Sequence, residues 1–209
     1  MSRKDIDEMY EELLKYMRKV KNPYLLKLAE SFFVENEAFI RLFKKHSAAK
    51  SVHHGFVGGL LEHTLSDFYA DQYDFLNRDL LITAAMFHDI GKTKELSAFP
   101  ANDYTDDGQL LGHIVIGVEL VGLGIRRIPD FPKRLASELK HCIVAHHGEL
   151  EYGSPKKPAL AEAAALNFAD NTDARMETFR EILTGSATTD EWLGYNRFVD
   201  SNVRRTTEF

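Results

Sequence analysis

The chain of 209 residues has little of three things: cysteine, long apolar runs and positive charge. Cys142 is its only cysteine, which excludes an internal disulfide and a zinc cluster built from several cysteines. A metal must therefore be held by nitrogen and oxygen atoms. No apolar run approaches the length of a membrane span, and the N-terminus has charges in every turn, so we expect a cytoplasmic protein with no membrane partner.

Positive charge is scarce because 26 Lys and Arg face 32 Asp and Glu, which gives a net charge of -6. Proteins that coat nucleic acid non-specifically neutralise many phosphates with Lys and Arg, so the net charge argues against this class of protein. It does not exclude a local positive pocket. The apolar fraction of 44% and the charged fraction of 28% are typical of globular proteins. We expect one domain over residues 1–209.

Apolar residues recur at three- and four-residue steps along most of the chain, and this spacing predicts amphipathic helices. We therefore predict an all-α fold, with a helical lead-in over residues 1–50, a catalytic core over 51–180 and a C-terminal helical tail over 181–209. In the tail, Thr188 and Glu191 have the spacing of a capping box, which predicts a last short helix through Phe198.

Within the core, the same spacing predicts a series of helices separated by short breaks. Residues 109–125 suit a strand as well, because several of them are β-branched, but their apolar stripe favours a helix. Residues 96–108 are rich in turn formers and predict a loop. The predicted helices of the core cover residues 55–76, 78–90 (closed by Gly91), 109–125, 132–147 and 158–183.

The nine histidines are clustered, since all of them lie between positions 46 and 147. His88 and Asp89 fall at a predicted helix end, where neighbouring side chains can reach one metal centre. A carboxylate there can bridge two divalent ions, and His63 and Asp170 on other helices can supply further ligands. Lys92 lies three residues after Asp89, on the same helical face if that turn continues, so we expect it to contact a substrate phosphate.

These residues resemble the H…HD…D signature of the HD superfamily of metal-dependent phosphohydrolases. Four longer segments are similar to the HD region of the YhaM-type 3′-5′ exoribonucleases, and the resemblance covers roughly residues 20 to 180. Several motifs in the same order make a chance match improbable. The segments are HHGFVGGLLEHT at 53–64, FHDIGKTKEL at 87–96, YTDDGQLLGHIVIG at 104–117 and HHGELEYGSPKKP at 146–158.

The resemblance implies a compact HD-domain helical bundle with two divalent metal ions, of which Mn, Fe, Co, Ni, Zn and Mg are all candidates. Asp89 would bridge them, and a metal-activated hydroxide would attack a phosphoester. Asp89 and Lys92 are the expected catalytic residues, and Lys92 and His54 the expected substrate contacts. The first ion would be held by His63, His88, Asp89 and Asp170, and the second by Asp89, His113 and His146, with His147 as an alternative or additional ligand.

The substrate is the open part of this interpretation. Exoribonucleases of the YhaM type carry an OB-fold that grips single-stranded RNA, whereas here the predicted helical lead-in precedes the first motif. Asn167 also stands where that family has a histidine-tyrosine pair ahead of the final aspartate. We expect a phosphodiesterase acting on RNA ends or short oligonucleotides. The alternatives are a nucleotidase or other small-molecule phosphohydrolase, and a non-catalytic metal- or nucleotide-binding module.

Overall fold

A computed structural model describes residues 5–48, 59–60, 73–98, 100–185 and 191–207. Most of the predicted helix over 55–76 lies outside these ranges. The predicted all-α class is confirmed, because helices dominate and the described sheet is one small hairpin. The helices are α1 (Ile6–Met17), α2 (Pro23–Phe33), α3 (Glu37–Lys45), α4 (Arg78–Phe87), α5 (Lys92–Glu95), α6 (Asp106–Leu110), α7 (Gly112–Arg126), α8 (Lys133–Ala145) and α9 (Ala161–Gly185), and the strands are β1 (Trp192–Asn196) and β2 (Ser201–Arg204).

Polar caps fix where the first four of these helices begin. Asp5 caps α1, and asparagine residues 22, 36 and 77 cap α2, α3 and α4 by accepting hydrogen bonds from backbone N–H groups of the first turn. These N–H groups have no partner inside the helix, so a side-chain oxygen at the cap satisfies them. Short polar residues at the breaks of the apolar pattern therefore set the helix boundaries.

Helix α4 is the central element of the bundle. Its residues from Leu80 to Phe87 are all buried, since the helix is apolar on every side and packs against α1, α2, α8 and α9. A helix buried all round belongs in a protein core. The residues that follow its last turn are consequently placed in the interior of the molecule.

The lead-in helices pack on α4 through an aromatic cluster. The rings of Phe32 and Phe33 each meet Phe87 edge to face, with ring centroids 5.2 and 5.5 Å apart. Phe39 and Phe43 of α3 extend the cluster from the other side of Phe33. Edge-to-face aromatic pairs add about 0.5–1.5 kcal/mol each beyond the area that they bury. The lead-in thus completes the core around the helix that positions the site.

The prediction for the C-terminal tail is wrong. Instead of a helix running through Phe198, residues 192–204 form an antiparallel hairpin in which Trp192 pairs with Arg204 and Tyr195 with Asn202. Gly194, at a φ of 86°, lies at an irregularity in the register. The buried Val203 and a hydrogen bond from Arg205 to the Leu183 carbonyl attach the hairpin to the rest of the chain. These non-local contacts outweighed the local capping signal.

Two further boundaries differ from the predictions. Gly91 does not close α4 in a left-handed conformation, since its φ is -62° and the chain continues into α5. The predicted loop 96–108 contains an isolated bridge between Leu96 and Tyr104, and α6 begins at Asp106 with Thr105 as its cap. The ambiguous segment 109–125 is largely helical, as α6 and α7. No helix among the described residues is long and apolar enough to cross a membrane.

Candidate metal centre

His88 and Asp89 occupy the end of α4, as the sequence predicts. His88 is the C-cap residue of that helix, and both side chains are almost fully buried. The backbone turns at once through Ile90 and Gly91 into α5, which begins at Lys92. A histidine and an aspartate therefore lie in the protein interior because the buried helix ahead of them carries them there.

Three histidines from three different helices surround the Asp89 carboxylate. His88 Nε2 lies 3.3 Å from Asp89 Oδ2, whereas the Nε2 atoms of His113 and His146 lie 3.4 and 3.6 Å from Asp89 Oδ1. His113 is in the first turn of α7, and His146 is the C-cap residue of α8. The fold thus gathers at one carboxylate residues that are up to 58 positions apart in the sequence, from 88 to 146.

Each histidine of the cluster is held by its Nδ1 atom. The Nδ1 atoms of His88, His146 and His147 lie 2.7–2.9 Å from the backbone carbonyl oxygens of Ala85, Ile143 and Tyr152. His113 Nδ1 lies 3.0 Å from a carboxylate oxygen. An oxygen acceptor at Nδ1 requires the proton to be on that atom, which leaves the lone pair of a neutral ring on Nε2. This is the tautomer that binds a metal through Nε2.

Two of these Nε2 atoms lack a hydrogen-bond partner among the described residues. Those of His113 and His146 are buried, and neither forms a hydrogen bond with any part of the chain that the structure describes. Buried polar atoms are satisfied in the great majority of cases, so an exception needs an explanation, and a bound metal ion or water supplies one. The ligand nitrogens of His113, His146 and His147 all lie within 4.8 Å of one another, which is close enough for one metal ion.

The electrostatics favour neutral imidazoles and a bound cation. Burial, together with the neighbouring His88, holds the pKa of His146 well below its usual value. Burial and His113 likewise lower the pKa of His147. A neutral imidazole is the form that coordinates a metal, because protonation removes the donor lone pair. The rings therefore need no deprotonation near neutral pH before they can bind an ion.

Lys92 and Asp170 complete the charged part of the cluster. Burial opposes the charged form of Lys92, but the charges of Asp89, Asp170 and Glu95 raise its pKa above the usual value. Its ammonium nitrogen lies 2.5 Å from Asp89 Oδ2. Asp170, half-buried on α9, also acts on the histidines at 146 and 147 through its charge. The charges of Asp89 and Asp170 thus act on the same lysine and histidine side chains.

The family model described as the HD domain matches residues 60–175 of the chain. The chain belongs to the HD domain family. Among curated proteins, the 3′-5′ exoribonuclease YhaM of Bacillus subtilis (strain 168) is 37% identical over 182 residues, which are 85% of this chain and 57% of that protein. YhaM of Bacillus velezensis is 37% identical over 175 residues, 81% of this chain and 54% of that protein. The HD chain thus spans little more than half of these relatives, and no solved structure matches it.

Glu95 is a site residue that the sequence interpretation missed. One of its carboxylate oxygens lies 3.0 Å from both the ring Nδ1 and the backbone nitrogen of His113. Burial opposes its ionisation, but the contacts with His113 lower its pKa below the usual value. A carboxylate behind a ligating histidine fixes the ring orientation and increases its basicity. The only sequence signal was position, since Glu95 lies in the segment 87–96 that contains the HD pair.

Asn167 has a structural role where the sequence departs from the family pattern. Its side-chain amide donates a 2.7 Å hydrogen bond to the carbonyl oxygen of His146. Gly148 follows the histidine pair at a φ of 79°, and a Cβ there would lie 2.6 Å from the Asn167 amide nitrogen. Asn167 and Gly148 therefore hold the turn that presents both histidines.

The described structure brings together most of the residues that the sequence singled out. His88, Asp89, Lys92, His113, His146 and His147 adjoin one another, and Asp170 acts on them through its charge. His63 and His54 lie outside the described residues, so their roles stay predictions. His46 and His141 lie apart from this cluster in hydrogen bonds with backbone groups, of Ser47 and Leu96 for the first and of Ala159 for the second.

Proposed function

We propose that this HD-family chain is a metal-dependent phosphoester hydrolase with two divalent ions. The observation that carries the proposal is the common anchoring of four histidines through Nδ1, which leaves Nε2 as the donor atom on each ring. Three of these atoms converge on a buried carboxylate. Histidine nitrogens and a carboxylate oxygen are ligands that suit Mn, Fe, Co, Ni and Zn, and the carboxylates also suit Mg.

The residues fall into two ligand groups that share Asp89. His88, Asp89 and Asp170, with His63 as implied by the family resemblance, would hold one ion. Asp89, His113 and His146 would hold the other, and His147 is near enough to join them. Bound divalent ions supply Lewis acidity toward a phosphoryl oxygen and lower the pKa of water.

Lys92 is the residue we assign to the substrate. Its side chain is largely buried beside Asp89, and its raised pKa keeps the ammonium charged throughout the neutral range. A fixed ammonium group at this position can bind a non-bridging phosphoryl oxygen and stabilise charge that develops there. Lys92 therefore orients the phosphoester, whereas Asp89 organises the ligands.

The substrate class we propose is the 3′ end of single-stranded RNA or of short oligoribonucleotides. The support is the name of the relatives, 3′-5′ exoribonuclease YhaM, which match more than four-fifths of this chain. Those proteins are much longer than this chain, so we propose their activity for it only on the strength of this similarity. A nucleotidase or another small phosphohydrolase would use the same metal centre, so the substrate must be identified by assay.

The test combines metal analysis with three substrates. The purified protein should contain divalent metal, and with Mn²⁺, Co²⁺ or Mg²⁺ it should hydrolyse bis-p-nitrophenyl phosphate. Labelled oligoribonucleotides should lose single nucleotides from the 3′ end. Turnover of mononucleotides without turnover of oligoribonucleotides would assign the chain to the nucleotidases. Absence of both metal and turnover would end the hydrolase proposal and leave a non-catalytic binding module.

A further inference from the structure

Helices α7 and α8 present a row of cations on their shared surface. They run antiparallel, because His113 at the start of α7 lies beside His147 just beyond α8, with ring centroids 5.2 Å apart, whereas Gly122 lies beside Lys140. A Cβ on Gly122 would lie 3.3 Å from Lys140 Nζ and 3.6 Å from Arg126 Nη1. Two cationic groups from different helices therefore converge over one glycine.

The charge of these cations is not balanced by a carboxylate of the described residues. Within the described part of the chain, no carboxylate forms an ion pair with Arg126, Lys133 or Lys140. Glu119 is on the same side of α7 as Arg126, yet it pairs with neither Arg126 nor Lys140. Like charges held close together without a counter-charge repel each other, and an anion that binds between them relieves this repulsion.

The row also leads to the metal centre. Lys133, Lys140 and His147 follow one another at steps of seven residues, and a heptad falls only about 20° short of two helical turns. They therefore lie along one stripe about 21 Å long. At its end the His147 ring meets those of His113 and His146, at centroid distances of 5.2 and 4.3 Å.

We propose that Arg126, Lys133 and Lys140, here called the α7–α8 basic ridge, bind the phosphate backbone of single-stranded nucleic acid whose 3′ end enters the metal centre. This inference rests on the proposed hydrolysis of oligonucleotides and assigns the surface that holds the strand upstream of the scissile phosphate. Gly122 lies about 14 Å along the α7 axis from His113, so a strand on the ridge spans a few nucleotides. Lysine and arginine contacts to phosphate carry affinity without base specificity.

The test measures binding and turnover separately. Binding is followed by fluorescence anisotropy, with metal-loaded protein and an oligoribonucleotide whose phosphorothioate linkages resist cleavage. The double variant Arg126→Gln/Lys140→Gln should bind about fivefold more weakly, and the slope of log affinity against log salt should fall by about 0.7 for each cation removed. Its turnover of bis-p-nitrophenyl phosphate should equal that of the wild type, because this small ester does not reach the ridge.

Two control variants make the result specific. Lys15→Gln removes one positive charge from the exposed face of α1 and should leave oligonucleotide affinity unchanged. Glu119→Gln removes the acidic neighbour of the ridge and should tighten binding, which a mere loss of folding cannot do. Lys133→Gln should weaken binding like the other ridge variants.

Three outcomes would overturn the proposal. Unchanged oligonucleotide affinity in the double variant, with bis-p-nitrophenyl phosphate still hydrolysed, would exclude the ridge while keeping the hydrolase. Displacement of the oligonucleotide by polyglutamate of equal charge, at equal concentration, would assign the ridge to an acidic protein partner. Weakening by Lys15→Gln as large as that by Lys133→Gln would show that the overall charge, and no particular surface, governs binding. Loss of bis-p-nitrophenyl phosphate turnover in the wild type would instead refute the proposed function.

Discussion

At the scale of single residues, Asp89 and Lys92 are in contact but have separable roles. Asp89 is the carboxylate on which three histidines converge, so Asp89→Ala should remove both bound metal and turnover. Lys92→Ala should retain the metal, since lysine is not in the ligand set, and lose at least tenfold in kcat, the order expected for a lost transition-state contact. Metal content by plasma mass spectrometry and kcat on bis-p-nitrophenyl phosphate check both. An active Asp89→Ala protein would refute the ligand assignment.

Glu95 should act on the metal through His113. Because its carboxylate holds both the ring and the backbone nitrogen of His113, Glu95→Ala should weaken metal binding by about 10–100-fold. Glu95→Gln retains an oxygen acceptor and should lose less. Competition with a fluorescent chelator measures both affinities, and Glu12→Gln on the exposed face of α1 serves as the control. Equal affinities for Glu95→Ala and the wild type would show that His113 needs no such support.

Cys142 should be chemically inert in the folded protein. It is fully buried on α8, and burial together with the charge of Glu162 raises the pKa of its thiol to about 12. The thiolate is the reactive form, and at pH 8 almost none is present, whereas an unfolded thiol has a pKa near 8.5. Iodoacetamide should therefore label Cys142 only after denaturation. Labelling of the native protein at the denatured rate would contradict this placement.

At the scale of elements, Gly91 permits the contact between α5 and α7. A Cβ on Gly91 would lie 1.9 Å from the His113 carbonyl oxygen and 2.8 Å from the Gly117 nitrogen, and both are backbone atoms. Gly91→Ala must separate the two helices and should lower the free energy of unfolding by about 1–3 kcal/mol, the usual cost of overpacking. Metal affinity should fall with it, because His113 moves.

Gly185→Ala is the matched control for this substitution. A Cβ on Gly185 meets no atom of the described residues within 4 Å, so the stability of this variant should equal that of the wild type or exceed it slightly. Urea denaturation of the three proteins measures the differences. If Gly91→Ala and Gly185→Ala unfold at the same midpoint, the close approach of α5 to α7 is not required.

The hairpin shows why some elements escape sequence interpretation. Thr188 and Glu191 have the spacing of a helix cap, and a local pattern of this kind is a weak prior that tertiary contacts override. The pairing of Trp192 with Arg204 and the burial of Val203 join residues through a turn that the apolar pattern does not reveal. By contrast, the helix predicted over residues 78–90 is present as α4 (Arg78–Phe87), because its run of apolar residues is a strong local signal, although it ends three residues earlier.

At the scale of the whole molecule, metal should contribute to stability. The proposed ligands come from α4, α7, α8 and α9, so an ion binds only when these helices are packed together. An ion at one hundred times its dissociation constant stabilises the native state by about 2.7 kcal/mol, so its removal should lower Tm by roughly 5–10 °C. Calorimetry with and without EDTA measures this difference. The Asp89→Ala protein should show no response to EDTA, and an equal response would place the metal elsewhere.

The sequence by itself determined the helical class, the helix that carries His88 and Asp89, and the set of candidate ligands. Helical periodicity and helix caps depend on residues that are close in the sequence, and the chemistry of a side chain depends only on its residue type. The sequence alone therefore reveals helices and candidate ligands. The tertiary structure shows how closely His113 and His146 approach the Asp89 carboxylate, and it alone decided that Glu95 and Asn167 support them and that Arg126 and Lys140 converge over Gly122. Those relations join residues distant in the chain, and packing alone sets their distances.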